Sequence, residues 1–272
     1  MARVAAWDLR RDGFTVIEGL LQAHEVSAVR AEVERVLAGP IPPGCERPHN
    51  TLAPLVWGDP LVERVLARRE RRNVLAAALD AGDLRWISGY VSVKEPRSEA
   101  LGWHHDWWCC DHPLSLWPEP AQVAVLIYLS DTSPRTAALR VKPGTHNGNA
   151  TRGAVTLAVR AGDAIACDYR CVHGTHPNAA AVRRDCLILN FAPSWSSLPD
   201  DIRAHLIRHP SLPRDRDDDL LPDYDGEPRD LPLNRTAPAT WRAFTALARV
   251  TQSETAGASR PASGSRASTT TW

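Results

Sequence analysis

Residues 155–192 read VTLAVRAGDAIACDYRCVHGTHPNAAAVRRDCLILNFA, and the reading of this stretch decides the fold. It holds three apolar runs, Val155–Val159, Ala164–Tyr169 and Cys186–Ala192, each of strand length and short for a helix. Ala161-Gly162-Asp163 separates the first two as a turn. The same grammar recurs upstream. In Trp86–Lys94, Tyr90, Ser92 and Lys94 fall on one face of a strand, and Val91 and Val93 on the other. Val123–Leu129 is the near-continuous apolar run of a buried strand, and Leu139–Lys142 stops at the turn pair Pro143-Gly144. Short strands at this spacing, with Gly and Pro between them, predict a mainly β sandwich or jelly roll.

The N-terminal part reads differently. Phe14–Ile17 predicts a strand. Val26, Val29, Val33, Val36 and Leu37 then recur at helical spacing until Gly39-Pro40. Asp59-Pro60 predicts a second helix, an N-cap followed by proline at the first helical position, and a third is expected over about Asn73–Ala81. After Pro199 the chain turns polar, acidic and Pro-rich, with a helix expected at Ala239–Val250. The expected organisation is one jelly-roll domain over 1–250, with N-terminal helices and a C-terminal extension. The Ser/Thr/Ala/Gly-rich residues 251–272 are expected to be a disordered tail.

Composition narrows the function. The 272 residues are 43% hydrophobic and 24% charged, an ordinary globular balance. With 32 basic and 32 acidic residues, the chain has neither the footprint of a nucleic-acid binder nor that of a membrane-surface protein. No apolar run approaches the roughly 18–20 residues of a membrane span, and the start shows no secretory pattern. A cytoplasmic location with reduced thiols is expected. The six cysteines form no C-x-x-C pair, and Cys109 and Cys110 are expected to be buried thiols. Lys94 and Lys142 are the only lysines; this arginine bias, with abundant alanine, points to a high-GC genome.

Chemistry concentrates in Trp103-His104-His105-Asp106-Trp107-Trp108. Residues two apart on a strand share a face, so His104 and Asp106 can offer one nitrogen and one carboxylate oxygen to one metal. A second histidine from a distant strand would complete the 2-His-1-carboxylate triad used for Fe(II) and O₂ chemistry. The tripeptide alone arises readily by chance, and its bland reading is a histidine among aromatic core residues. The second half changes the balance. His173 stands at a strand end, and Arg183-Arg184 follow about ten residues later on the next strand. An arginine there can hold a carboxylate through two parallel hydrogen bonds, as a bidentate 2-oxo acid needs at its far end. The other arginine of the pair reads as a solvated strand edge. Trp103, Trp107, Trp108 and Trp117 cluster around the motif as core packing or as an aromatic wall for substrate. Trp107 is the first substrate candidate, followed by Trp103 and by His105, which a regular strand would turn away from the metal. His146 and His176 lie in loops near the site.

Taken in order, these motifs resemble the phytanoyl-CoA dioxygenase family of iron- and 2-oxoglutarate-dependent oxygenases, from about Asp12 to Ser194. The resemblance is carried by Asp12-Gly13-Phe14, Val93-Lys94-Glu95-Pro96, Trp103–Trp107, Leu139–His146 with its Pro143-Gly144, Gly162-Asp163, and His173-Gly174-Thr175 with Asn178 and Arg184. It implies a double-stranded β-helix, or jelly roll, with N-terminal helices. It implies Fe(II) on His104, Asp106 and His173. It further implies 2-oxoglutarate with its far carboxylate on Arg184, supported by Thr175 and reached by Lys94, with Tyr90 a further candidate on the same strand face. O₂ would be consumed, succinate and CO₂ released, and a small organic substrate hydroxylated, desaturated, epimerised or cyclised. The chain departs from the family pattern at Arg135–Ala138, and Thr145 stands where the family has serine. Relatives that halogenate replace the carboxylate ligand, so Asp106 implies oxygenation. No cluster fit for acyl-CoA phosphates is evident, and a specialised metabolite is the expected substrate of a monomer or homodimer. A zinc hydrolase is the alternative, but it lacks the H-x-H-x-D-H pattern and gives no reason for Arg184. A non-catalytic jelly-roll binding protein would show a broken triad.

Overall fold

The structure is a computed structural model and describes residues 3–4, 7–41, 46–47, 50–149 and 153–212. The helix expected at 239–250 and the tail at 251–272 lie outside these residues. In chain order the elements are β1 (Arg3–Val4), α1 (Leu9–Asp12), β2 (Phe14–Glu18), α2 (Ala23–Leu37), β3 (Glu46–Arg47), β4 (Asn50–Leu55), α3 (Pro60–Leu66), α4 (Arg69–Ala78), β5 (Arg85–Lys94), β6 (Leu101–His104), β7 (Val123–Tyr128), β8 (Leu139–Val141), β9 (Val155–Leu157), β10 (Ala164–Asp168), β11 (His173–Thr175), β12 (Arg184–Ala192) and α5 (Asp200–Leu206). Among them no helix is long and apolar enough to cross a membrane.

Two antiparallel sheets face each other as a jelly roll. The large one runs β1-β2-β10-β7-β12-β5-β4-β3 and the small one β6-β11-β8-β9. One face of the large sheet is the apolar set anticipated from alternation. Val91, Val93, Val123, Val125, Ile127, Leu187 and Leu189 pack there with Val26, Val29 and Val33 of α2 and with α3 and α4. Helices this short are marginal in water on their own, so tertiary burial stabilises them, at roughly 1.5–3 kcal/mol per buried aliphatic side chain. Buried Arg71 ties them together, donating to the Leu20 and Val65 carbonyls and to Glu25 of α2.

The opposite face of the large sheet looks into the roll, and its register sets out the site in rows. Lys94 of β5 pairs with Arg184 of β12. Ser92 pairs with Cys186, which pairs with Tyr128 of β7; Tyr90 pairs with Ile188, which pairs with Leu126. β4 extends these rows, with Leu52 opposite Ser92 and Asn50 one residue before the Thr51–Val93 pair. The end of the roll that carries Phe14, Ile165 and Cys167 is closed by Leu139, Val141 and Leu157 of the small sheet.

Several elements were not anticipated. β4 contains Pro54, but β3 pairs only with Asn50 and Thr51, so Pro54 lies where no ladder hydrogen bond is required of it on that side. β12 begins at Arg184, two residues before its apolar run, and α4 begins four residues before the expected third helix. The polar stretch after Pro199 forms α5 and a turn to Leu212. Ile202 and Leu206 pack beside Trp107, Leu212 enters the helical core, and the Trp57 N–H donates to the Ser211 carbonyl.

Candidate metal centre

β6 and β11 bring the two histidines together. His173 is paired with His104, yet Thr175 is paired with Leu101, so β6 carries one extra residue as a bulge. The bulge turns both Leu101 and His104 toward the interior, where they line the same cavity. Gly174 permits it, because a Cβ there would lie 2.7 Å from the Leu101 carbonyl oxygen and 2.9 Å from that of Gly102.

Asp106 reaches the site differently from the simple alternation expected. β6 ends at His104, and Asp106 hangs from the opposite wall: its N–H and that of Trp107 both donate to the Tyr169 carbonyl, at 2.8 and 2.9 Å. The support behind Tyr169 is rigid. Arg170, 6% exposed, forms a two-pronged ion pair with buried Asp168 and donates to the carbonyls of Leu114, Trp117 and Glu119. It therefore braces the loop that follows the metal motif.

His104, Asp106 and His173 form the one group among the described residues able to hold a metal, with their donor atoms within 4.8 Å of one another. The tautomers follow from neighbours. Nδ1 of His104 lies 2.9 Å from the Gly102 carbonyl and Nδ1 of His173 lies 3.0 Å from that of Cys171. A carbonyl only accepts, so both Nδ1 atoms carry the proton and both Nε2 atoms present a lone pair. Those Nε2 atoms stand 3.7 and 3.6 Å from the two Asp106 oxygens. This is too long for a hydrogen bond. It suits donors that share one ion, each about 2.0–2.2 Å away.

From the triad a cavity of about 130 Å³ runs along the inner face of the large sheet to Lys94, Arg184, Thr175, Tyr128, Ser92 and Asn50. Lys94 is fully buried and Arg184 is 5% exposed. Two acids line the cavity: Asp106 belongs to the triad and Asp168 is taken by Arg170. Arg184 forms no ion pair among the described residues, and its buried Nε has no hydrogen-bond partner. Burial, and then the Arg184 charge, lower the Lys94 pKa to about 8. The Lys94 ammonium donates to the Glu99 carbonyl at 2.5 Å, but no acid among the described residues pairs with either cation, and two buried cations without a counter-charge cost several kcal/mol unless an anion joins them. The Thr175 hydroxyl accepts the Leu101 N–H at 3.2 Å and stands at the same end. Asn178, fully buried, donates to the carbonyls of Lys94, Glu95 and Val182 and so fixes the β5 end beside the β12 start. Of the two arginines, Arg184 faces the cavity. Arg183 points to the other face, held by Asp185 and by Glu34 of α2, which raise its pKa further.

Other candidates are placed elsewhere. Tyr90 shares the strand face of Lys94 but sits outside the cavity lining, with its hydroxyl 3.3 Å from His209 Nε2. Trp107 is a core residue, 5% exposed, whose indole N–H donates to the Cys109 carbonyl and Ser115 hydroxyl, and it lies outside the cavity lining. Trp103 lies on the outside of the small sheet against Arg140 and Lys142. His105 is half-buried outside the cavity lining, and its Nδ1 has no partner among the described residues. His146 is buried and donates to the Arg10 carbonyl, and His176 meets Thr156. Cys110 is exposed and Cys109 half-buried, so this pair is not the buried one expected. Tyr128 and Asn50 went unnoticed in sequence, whereas Ser92 was read on the strand face of Lys94; for Tyr128 the signal was a phenol in an otherwise aliphatic strand.

Comparison with known proteins places this geometry. A family model described as phytanoyl-CoA dioxygenase (PhyH) matches residues 9–186, more than half of the chain. An ectoine dioxygenase of Nocardia farcinica is 31% identical over 146 residues, covering 50% of this chain and 48% of that protein, so the match spans about half of the relative's length. AviO1 of Streptomyces viridochromogenes superposes with a TM-score of 0.53 at 25% identity, covering 68% of this chain and 91% of that one. HygX of Streptomyces hygroscopicus, solved with nickel and 2-oxoglutarate, superposes with a TM-score of 0.55 at 23% identity, covering 68% and 84%.

Proposed function

The chain belongs to the phytanoyl-CoA dioxygenase family of iron- and 2-oxoglutarate-dependent oxygenases, and from that membership we propose that it is an Fe(II)- and 2-oxoglutarate-dependent dioxygenase acting on a small organic molecule. The observation that carries this reading is the pairing, in one cavity, of the His104–Asp106–His173 triad with an acid-free end holding Arg184 and Lys94. In this proposal residues 1–250 work as a single oxygenase unit.

His104, Asp106 and His173 would hold Fe(II). A metal held there would supply the oxidising power for the O₂-dependent conversion of 2-oxoglutarate to succinate and CO₂. The chain's own residues do the rest. The carbonyls of Gly102 and Cys171 hold the two imidazoles in the ligating tautomer. Arg184 anchors the far carboxylate of 2-oxoglutarate through paired N–H groups, with Thr175 and Lys94 beside it. Leu126, Leu139 and Ile188 line the cavity between the two ends and exclude water. The intact Asp106 carboxylate favours oxygenation, or hydrogen abstraction leading to desaturation, epimerisation or cyclisation, over halogenation. HygX has also been solved with hygromycin B bound, which supports a small-molecule substrate for this fold. A zinc hydrolase would have no use for two cations at the cavity end.

The direct test is anaerobic reconstitution with Fe(II), addition of 2-oxoglutarate and O₂, and a screen of candidate metabolites for stimulated succinate release. A metal-loaded protein that neither binds 2-oxoglutarate nor forms succinate would refute the reading.

Lys94 gives the co-substrate step a pH dependence of definite sign. Its ammonium helps the far carboxylate and is lost as pH rises through about 8. The Kd for 2-oxoglutarate is therefore expected to be level below pH 7 and to climb above pH 8, by at most about tenfold per pH unit. Calorimetric titrations across pH 6.5–9.5 measure it. A Lys94→Met variant should bind more weakly at pH 7 and lose the slope; an unchanged slope would assign the titration elsewhere.

A further inference from the structure

The cavity wall carries a thiol that neither the triad nor the cation pair uses. Cys167 of β10 is 3% exposed and lines the cavity together with the three metal donors. Register sets it opposite Ala124 of β7, another lining residue. It is close enough to Asp106 for that charge to act on it. A second thiol stands behind it. The Cys171 N–H donates to the Asp168 carbonyl at 2.9 Å, a tight turn that folds the chain back on the end of β10. The two thiols are in hydrogen-bond contact and belong to one apolar cluster. Cys171 is fully buried and lies outside the cavity lining. The backbone packs closely around it, since a Cβ on Gly13 would come within 2.9 Å of its sulfur. Added oxygen atoms on Cys171 have no room there, whereas a sulfur–sulfur bond only draws together two atoms already in contact.

The hydrogen bond to Cys171, and then burial, hold the Cys167 pKa well above the ordinary thiol value. Cys167 is therefore a neutral thiol that keeps its hydrogen and does not compete as a metal ligand. The wall beyond it is aliphatic, with Leu126, Leu139 and Ile188, whose C–H bonds are stronger than an S–H bond. We propose that Cys167 and Cys171 are an internal two-electron reductant, which discharges the oxidising power of the site when 2-oxoglutarate and O₂ are consumed without substrate. The step balances. Conversion of 2-oxoglutarate and O₂ to succinate and CO₂ leaves one oxygen atom to be reduced. The two thiols give up their two hydrogens, which leave with that oxygen as water, and the two sulfurs join as a disulfide. Cys167 meets the oxidant and Cys171 resolves it, so the wall is not permanently damaged. This rests on the dioxygenase reading above and adds to it a modification site on the chain itself.

The test uses the full, fully reduced chain loaded with Fe(II) without oxygen, given 2-oxoglutarate and then O₂, with no substrate. Succinate is counted, and the chain is alkylated, digested and mapped by mass spectrometry. The expected result is a burst that ends near one succinate per chain, with the loss of two hydrogens and a Cys167–Cys171 disulfide. Reduction with dithiothreitol, followed by its removal, should restore a second burst of equal size. Cys171→Ala should form no disulfide, and its chain should instead gain an oxygen atom that dithiothreitol does not clear from the wall. Oxidation of Tyr128, or a bond between other cysteines in place of this one, overturns the proposal. So does a burst of the same size and reversibility in Cys171→Ala. A chain that binds Fe(II) and 2-oxoglutarate but forms succinate with both thiols still reduced, or forms none without substrate, overturns this role alone. A chain that binds neither overturns the dioxygenase reading and this role with it.

Discussion

His104→Ala is expected to leave a folded protein with no bound iron and no 2-oxoglutarate-dependent turnover. The expectation follows from donor number. Three donors are the minimum this site offers, and they come from two strands and a loop. Removing a group that merely orients a ligand already costs about 10–100-fold in metal affinity, so removing a ligand itself should exceed that. The fold should survive, because His104 sits at the solvent-facing end of β6 with 28% of its side chain exposed. Metal analysis after dialysis, a melting curve and a succinate assay together decide the matter. Full activity without bound metal would remove the triad from the mechanism, and loss of the cooperative melt would make the variant uninformative about the metal, leaving Asp106→Asn, in an exposed loop position, to decide it.

Arg184→Ala carries the second large effect, and its signature is selective. Losing a two-pronged charge-assisted contact to a carboxylate is expected to raise the Kd for 2-oxoglutarate by about 10²–10³-fold, while Fe(II) binding stays within a few-fold of the parent. The same change should not lower the melting temperature of the ligand-free protein. Arg184 is a buried cation without an ion-pair partner among the described residues, so its removal relieves a desolvation cost rather than breaking a stabilising pair. It also takes away one of the two causes that depress Lys94, whose pKa should move back up. Calorimetry and thermal denaturation read these outcomes. Equal weakening by Arg183→Ala, which sits in an ion pair with α2 on the opposite face, would show that the anchor had been misassigned.

Much of the fold was legible because period-2 alternation and apolar runs report which face of a strand is buried, and β5, β7, β10 and β12 have strong patterns of that kind. β4 and α5 were not. Pro54 argues locally against a strand, and an edge with little pairing on one side tolerates it. α5 is held by Ile202 and Leu206 against Trp107, a contact between residues about a hundred positions apart that no local pattern announces. In the site, His104, Asp106, His173, Arg184, Thr175 and Lys94 were readable, since each belongs to an ordered motif. Trp107 packs in the core and not in the cavity lining; a large aromatic next to a ligand is as easily core as wall, and sequence does not say on which side of the loop it falls. Tyr128 and Asn50 were hidden for the opposite reason. They matter only through cross-strand register, which sets them beside Arg184 and Lys94.

The two N–H groups that Asp106 and Trp107 share on the Tyr169 carbonyl have a consequence for the life history of the chain. His104 and Asp106 are translated some seventy residues before His173, yet Asp106 has nothing to hang from until the β10–β11 turn has docked. The position of Asp106 therefore depends on a contact with a residue more than sixty positions further along the chain. The ligand set is thus a property of the finished roll and not of the His104-His105-Asp106 segment alone.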